Sequence, residues 1–248
     1  MCGIAGLIHR GKSSNVGSEL QQMLQALKHR GPDSTGYALY ADNDGKNFIM
    51  RFKVGENVGE GSTSVNEDAS VYDKRKKLVD QMLSELGAKI IKDEQLTPYS
   101  FRYEMEYNKD LMEFSKKIES IDSVEILSIG KSLELIKDLG DAAAVSDRYG
   151  LGNVKGTHGI GHARMATESG VDIKSAHPFW GYPFSDVSVV HNGQLTNYWN
   201  NRSALETKGM RFMSKCDSEL IAVFLAEKMR NGATLEEGMK ESLTGLDG

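Results

Sequence analysis

The second residue of the chain is a cysteine. Once Met1 is trimmed, that residue would carry a thiol and a free α-amine side by side. An α-amino group titrates at about 7.7–8.0 and a thiol at about 8.5, so the amine can accept the thiol proton near neutral pH. Cys2 is thus a candidate nucleophile with its own base attached. Gly3 leaves room for a substrate to approach it. A small residue near a chain end would otherwise mean little, so the case for Cys2 rests on what else the chain supplies.

Attack on an amide carbonyl needs hydrogen-bond donors where negative charge develops. The segment VSVVHNGQ has the right kind of groups after an apolar strand. Asn192 offers a side-chain NH2, and Gly193 can adopt φ > 0 and turn its N–H inward. The same residues also suit an ordinary Asn-Gly turn. Arg164, in GHARMAT, presents a planar fork that suits a carboxylate. Asp217, in CDSEL, can pair with an ammonium and equally suits a helix N-cap. Together, receptors for a carboxylate and an ammonium specify an α-amino acid. Arg30, in the turn-rich HRGPDSTG, can support the N-terminus electrostatically, or that stretch is simply a tight loop. His158, His162, His177 and His191 fall close together. The i, i+4 pair His158 and His162 would bind zinc on a helix, but GTHGIGH is too rich in glycine for one and nothing completes the site. No metal is expected.

The elements that must position these residues fall into three regions. Residues 1–54 read as strand 4–8, helix 18–30 with Leu20, Met23, Leu24 and Leu27 in phase, and strands 36–41 and 47–54 flanking a DNDG turn. Residues 55–155 read as a separate inserted unit. After a polar, glycine-rich loop come a helix at about 73–87, strands at 88–93 and 100–107, a helix at 109–121 and a strand at 124–130. With strand 47–54 the order is β-α-β-β-α-β, that of a ferredoxin-like unit. A further helix is expected at about 131–139. Residues 156–248 hold most of the unusual polar residues, with helices at about 197–207 and 217–230.

The bulk properties fit this reading. The chain has 248 residues, 39% of them hydrophobic and 26% charged, which suits a soluble globular protein with a sizeable core. No run approaches the roughly 18 apolar residues of a membrane span, and no secretory signal is visible. A net charge of −5 argues against a nucleic-acid binder. Two cysteines, Cys2 and Cys216, cannot build a disulfide framework, so a reduced, cytoplasmic setting is expected.

In order, MCGIAG, HRGPDSTG, GHARMAT, AHPF, VVHNGQLTN and CDSE resemble the motifs of a class II glutamine amidotransferase domain, within the N-terminal-nucleophile hydrolases. The resemblance spans both ends of the chain and skips the insert. It implies an α+β fold, a four-layer αββα sandwich, carrying the inserted 55–155 subdomain. It also implies further strands after the LDG motif, so the C-terminal strands are expected to be missing from a chain that stops at Gly248. Cys2 would attack the carboxamide of L-glutamine and form a γ-glutamyl thioester. Asn192 and Gly193 would form the oxyanion hole, Arg164 would bind the α-carboxylate and Asp217 the α-amine. Thr167 and His177 match pocket-lining positions, and Arg30 matches an arginine packed near the nucleophile. Met165 departs from the tryptophan of many relatives, and Glu168 follows Thr167. RMATESGVDI, AHPFW and NGQLTNYW, with the insert, resemble the stand-alone subunits of glutamate-synthase-like complexes, including N-methylglutamate synthases. The resemblance implies a separate partner synthase that carries FMN and an iron–sulfur cluster; this chain itself lacks the cysteines for a cluster and any dinucleotide fingerprint. The alternatives are a glutaminase domain serving amino-sugar, purine or asparagine synthesis, and a non-catalytic scaffold of the same fold.

Overall fold

The computed structural model describes residues 2–31, 33–55, 68–165 and 173–248. The chain is a mixed α/β structure built on two antiparallel four-stranded sheets. It opens with β1 (Gly3–Ile8), α1 (Val16–Ala26), a short 3-10 turn (Lys28–Arg30) and β2 (Ser34–Ala41). Then follow β3 (Phe48–Lys53), α2 (Ala69–Leu86), β4 (Lys89–Thr97), β5 (Ser100–Glu106), α3 (Leu111–Ile118) and β6 (Glu125–Gly130). β7 (Leu133–Leu139), α4 (Ala142–Tyr149) and β8 (Gly156–Arg164) return the chain to the first sheet. The last stretch holds a two-stranded ladder of β9 (Phe179–Trp180) and β10 (Ser188–Val189), then α5 (Tyr198–Thr207), α6 (Glu219–Arg230) and α7 (Leu235–Gly245). Among the described residues no helix is long and apolar enough to cross a membrane.

The first sheet has the order β1-β8-β2-β7. Its helical cover follows from spacing: Val16, Leu20 and Leu24 recur every four residues on α1 and are fully buried, against Tyr37 and Leu39 of β2, Ile136 of β7 and Val145 of α4. Met23, expected on that face, is 40% exposed. The second sheet has the order β4-β5-β3-β6. α2 and α3 pack Val79, Leu83, Phe114 and Ile118 against its Met50, Phe52, Phe101 and Tyr103. Aspartates start both helices: Asp68 accepts the Ser70 N–H, and Asp110 accepts those of Met112 and Glu113. The β-α-β-β-α-β run therefore spans β3 to β6, while β7 and α4, placed with the insert by sequence, belong to the first sheet and its cover. The helix expected at 131–139 is strand β7. LELIKDL has apolar residues at spacings that suit either period, and pairing with β2 from Tyr40↔Leu133 to Ser34↔Leu139 decides for the strand.

Strand alternation sends Met50 and Phe52 to the helices and Arg51 and Lys53 the other way, toward β7. There they meet buried acids. Glu134 accepts Arg51 Nε at 2.8 Å and Arg102 Nε at 2.9 Å. Asp138, fully buried, lies 3.9 Å from Lys53 Nζ and accepts Tyr99 and Tyr149 hydroxyls at 2.7 and 2.8 Å. The two sheets are thus joined by an ionic layer as well as by shared apolar contacts at Ala38, Leu133 and Leu135. Such a layer is costly to desolvate and costlier still to break, since one missing partner leaves an uncompensated buried charge.

Burial raises the Glu134 carboxyl, but Arg51 and Arg102 outweigh it and hold it at about 2, against an ordinary 4.5. The stability it contributes is complete above that ordinary value and is lost as pH falls toward the folded one. Glu134→Ala is therefore expected to cost about 3–5 kcal/mol in urea unfolding at pH 7. Glu134→Gln should also flatten the acid side of the stability profile. An unchanged unfolding midpoint for Glu134→Ala would remove the ionic layer as a join between the sheets.

Candidate active site

Three strand ends converge at one edge of the first sheet. β1 pairs with β8 through Gly3↔Ala163, so Cys2, just before that pair, and Arg164, just after it, lie at the same end. β2 starts beside them, with Ser34 paired to Arg164. The 3-10 turn before β2 swings Arg30 back, and its Nε donates to the Cys2 main-chain oxygen at 3.3 Å. Asn192, 190 residues along the chain, donates its Nδ2 hydrogen to the same oxygen at 3.1 Å. Four of the candidate residues, Cys2, Arg30, Arg164 and Asn192, thereby share one neighbourhood.

His177 enters it from the loop before β9. The residue sits over Gly36 of β2, where a Cβ would come within 1.8 Å of the His177 carbonyl oxygen. Glycine at that point of HRGPDSTG is thus a packing requirement. The His177 ring stacks on that of His162, with centroids 4.3 Å apart, and both residues are buried. Burial first, then the positive charge of Arg164 and His191, pushes His162 down to about 4. Burial, then His162 and Lys137, pushes His177 down to about 2. Both imidazoles are therefore neutral at pH 7. Among the described residues, neither ring nitrogen of His177 has a hydrogen-bond partner, nor does His162 Nδ1. Arg164 acts on both rings and on Cys216, so its charge faces the same space. Burial raises the Cys216 thiol, which disfavours its thiolate.

The HNGQ turn leans on the CDSE turn. Leu195 N–H donates to Asp217 Oδ2 at 2.7 Å. Asp217 therefore does not serve as a helix N-cap; Ser218 holds that position in α6. His191 Nδ1 hydrogen-bonds Ser218 Oγ at 2.9 Å. Gly193 does not use the left-handed conformation expected for it. Glycine suits the position for another reason, since a Cβ there would crowd the His191 ring, 2.7 Å from its Nε2. Below Asp217, the buried carboxylate of Glu219 accepts the N–H groups of Met213 and Ser214 at 2.6 and 2.7 Å and the Ser214 hydroxyl at 2.6 Å.

Thr167 and Glu168 lie outside the described residues. Among those described, no group of three His, Cys, Asp or Glu side chains is placed to hold a metal. Sequence reasoning passed over Ser218, Glu219 and the inward face of His191. CDSE and HNGQ contain them, but no residue spacing announces a bond between two turns so far apart in the chain.

The arrangement suits an amide-cleaving thiol: a cysteine at position 2, a carboxamide donor on its main-chain oxygen, an arginine at the same strand end and a carboxylate on the turn against that donor. The comparisons with known proteins agree. A family model described as a glutamine amidotransferase domain matches residues 162–248. A Methanothermobacter thermautotrophicus protein that carries a glutamine amidotransferase name is 39% identical over all of this chain and 79% of its own. The glutamine amidotransferase-like protein GlxB of Rhizobium meliloti is 31% identical over all of this chain and 77% of its own. Among solved structures, the allosteric regulatory enzyme of purine biosynthesis superposes with a TM-score of 0.51 at 18% identity. That match covers 99% of this chain and 33% of the other, and shows a shared fold. Likeness along the whole chain, with Asn192 brought onto Cys2, makes this chain a member of the glutamine amidotransferase family, an enzyme of the class II kind.

Proposed function

We propose that this chain is the glutaminase subunit of a glutamate-synthase-like complex, using Cys2 as nucleophile. Loss of Met1 frees the Cys2 α-amine. That amine takes the thiol proton as sulfur attacks the side-chain carbonyl carbon of glutamine. The tetrahedral oxyanion is held by Asn192 Nδ2 and the Gly193 N–H. On collapse the amine returns its proton to the departing nitrogen, which leaves as ammonia, and a γ-glutamyl thioester remains. Water, deprotonated by the same amine, then attacks the thioester, and glutamate leaves as the thiol regains its proton. Arg164 holds the α-carboxylate and Asp217 the α-amine, with His177 and Thr167 along the pocket. Neutral His177 and His162 suit a pocket wall that must not compete with Arg164 for the carboxylate.

The observation that carries this reading is the hydrogen bond from Asn192 Nδ2 to the main chain of Cys2. Arg30 donates to the same oxygen and helps fix the main chain of the nucleophile. Ammonia then passes to a synthase subunit bearing FMN and an iron–sulfur cluster. The 248 residues hold two cysteines, too few thiolates for a cluster, which supports placing that chemistry on a partner. The unit from β3 to β6, whose sheet runs β4-β5-β3-β6, is a candidate docking surface for that partner.

Glutamine hydrolysis by the isolated chain should be measurable but modest. Cys2→Ala should abolish it, and Asn192→Ala should lower kcat by about 100- to 1,000-fold with a smaller change in KM. Activity that survives Cys2→Ala would overturn the nucleophile. In the purified complex with its flavin and iron–sulfur subunit, Cys2→Ala should end glutamine-dependent synthesis and spare synthesis from added ammonia. Loss of both would mean that Cys2 serves the assembly and not ammonia supply.

A further inference from the structure

The turn assigned to the oxyanion hole stands on irregular chain. β10 ends at Val189 and α5 begins at Tyr198, so no strand or helix holds Asn192 and Gly193 directly. Donors of this kind must be held to a fraction of an ångström, because they act on a charge that exists only in the transition state. Something outside the turn has to brace it.

The brace comes from the turn before α6, at two points. One is the Leu195 N–H on Asp217 Oδ2. The other is the bond between His191 Nδ1 and Ser218 Oγ. His191 is a wedge under the turn, since its Nε2 edge fills the space where a Gly193 Cβ would stand. Its other nitrogen is fixed by Ser218, which is 2% exposed and so has no freedom to turn toward solvent. Ser218 is anchored in turn, because the next residue, Glu219, ties α6 to residues 213 and 214 through three hydrogen bonds.

We propose that Ser218 is a positioning residue for glutamine hydrolysis: through His191 it holds the Asn192–Gly193 turn in the arrangement that stabilises the tetrahedral oxyanion. This rests on the glutaminase reading above. Ser218 touches neither substrate nor nucleophile in this role. Its hydroxyl also lies 3.4 Å from Asp217 Oδ1, on the α-amine receptor, so its loss should be felt chiefly in the chemical step and less in the capture of glutamine.

The test is steady-state glutamine hydrolysis by wild type, Cys2→Ala, Ser218→Ala, Ser218→Thr, His191→Gln and the double variant Ser218→Ala/His191→Gln, each with a thermal unfolding scan. Ser218→Ala is expected to lower kcat about tenfold or more, with KM changed less than about twofold. Ser218→Thr, which keeps the hydroxyl, should restore kcat. The double variant should lose no more than the worse single one, because both changes remove the same tie. Unchanged kcat in Ser218→Ala, or a raised KM at constant kcat, would overturn the inference and leave the glutaminase reading standing. So would additive losses in the double variant, which decides the matter even where Ser218→Ala alone lowers the unfolding temperature. Absence of Cys2-dependent hydrolysis in wild type would instead sink the glutaminase reading itself.

Discussion

The site depends on one main-chain oxygen. The carbonyl of Cys2 accepts hydrogen bonds from Arg30 and from Asn192, and those two side chains arrive from opposite ends of the chain. Neither could reach it unless the sheet register held. β1, β8 and β2 pair so that Cys2, Arg164 and Ser34 finish at one edge, and a slip of one residue would turn every side chain to the wrong face. The register is fixed in turn by the apolar face beneath, where Leu20 and Leu24 of α1 fill the space over Gly159 and Gly161 of β8. The geometry around Cys2 is thus a consequence of how an amphipathic helix seats on a glycine-bearing strand.

Away from that edge, the molecule uses charge where most proteins of this size use hydrocarbon. Glu134 and Asp138 on β7 face Arg51, Lys53 and Arg102 on the second sheet. An apolar join would cost less to desolvate. An ionic one fixes the register between sheets, because each carboxylate must meet its own cations. β7 is also the strand that pairs with β2, and β2 begins beside Arg164. β7 therefore links the second sheet to the strand that begins beside the site.

Much of the site was legible in the sequence, because its residues are chemically unusual for where they stand. A cysteine at position 2, an Asn-Gly after an apolar strand and an arginine within a glycine-rich run each ask for an explanation. The fold was legible where periodicity was clean, as in α2 and β3. It was not legible at β7, whose leucines suit either period and whose buried acids look solvent-exposed until their cations are known. In sequence the glycine at 193 suggests backbone freedom, whereas in the fold the space beside it is taken by His191. Contacts of that kind arise from two turns meeting in space. They leave no spacing to read, and the same holds for the bond between His191 and Ser218.

The central claim is that Cys2, freed of Met1, is the nucleophile. Its most direct test is the intact mass of the purified chain before and after exposure to a diazo-ketone analogue of glutamine, with the adduct mapped by peptide sequencing. The account predicts a chain lacking Met1 that gains one adduct, on Cys2. An adduct on Cys216 instead, with Cys2 unmodified, would contradict it.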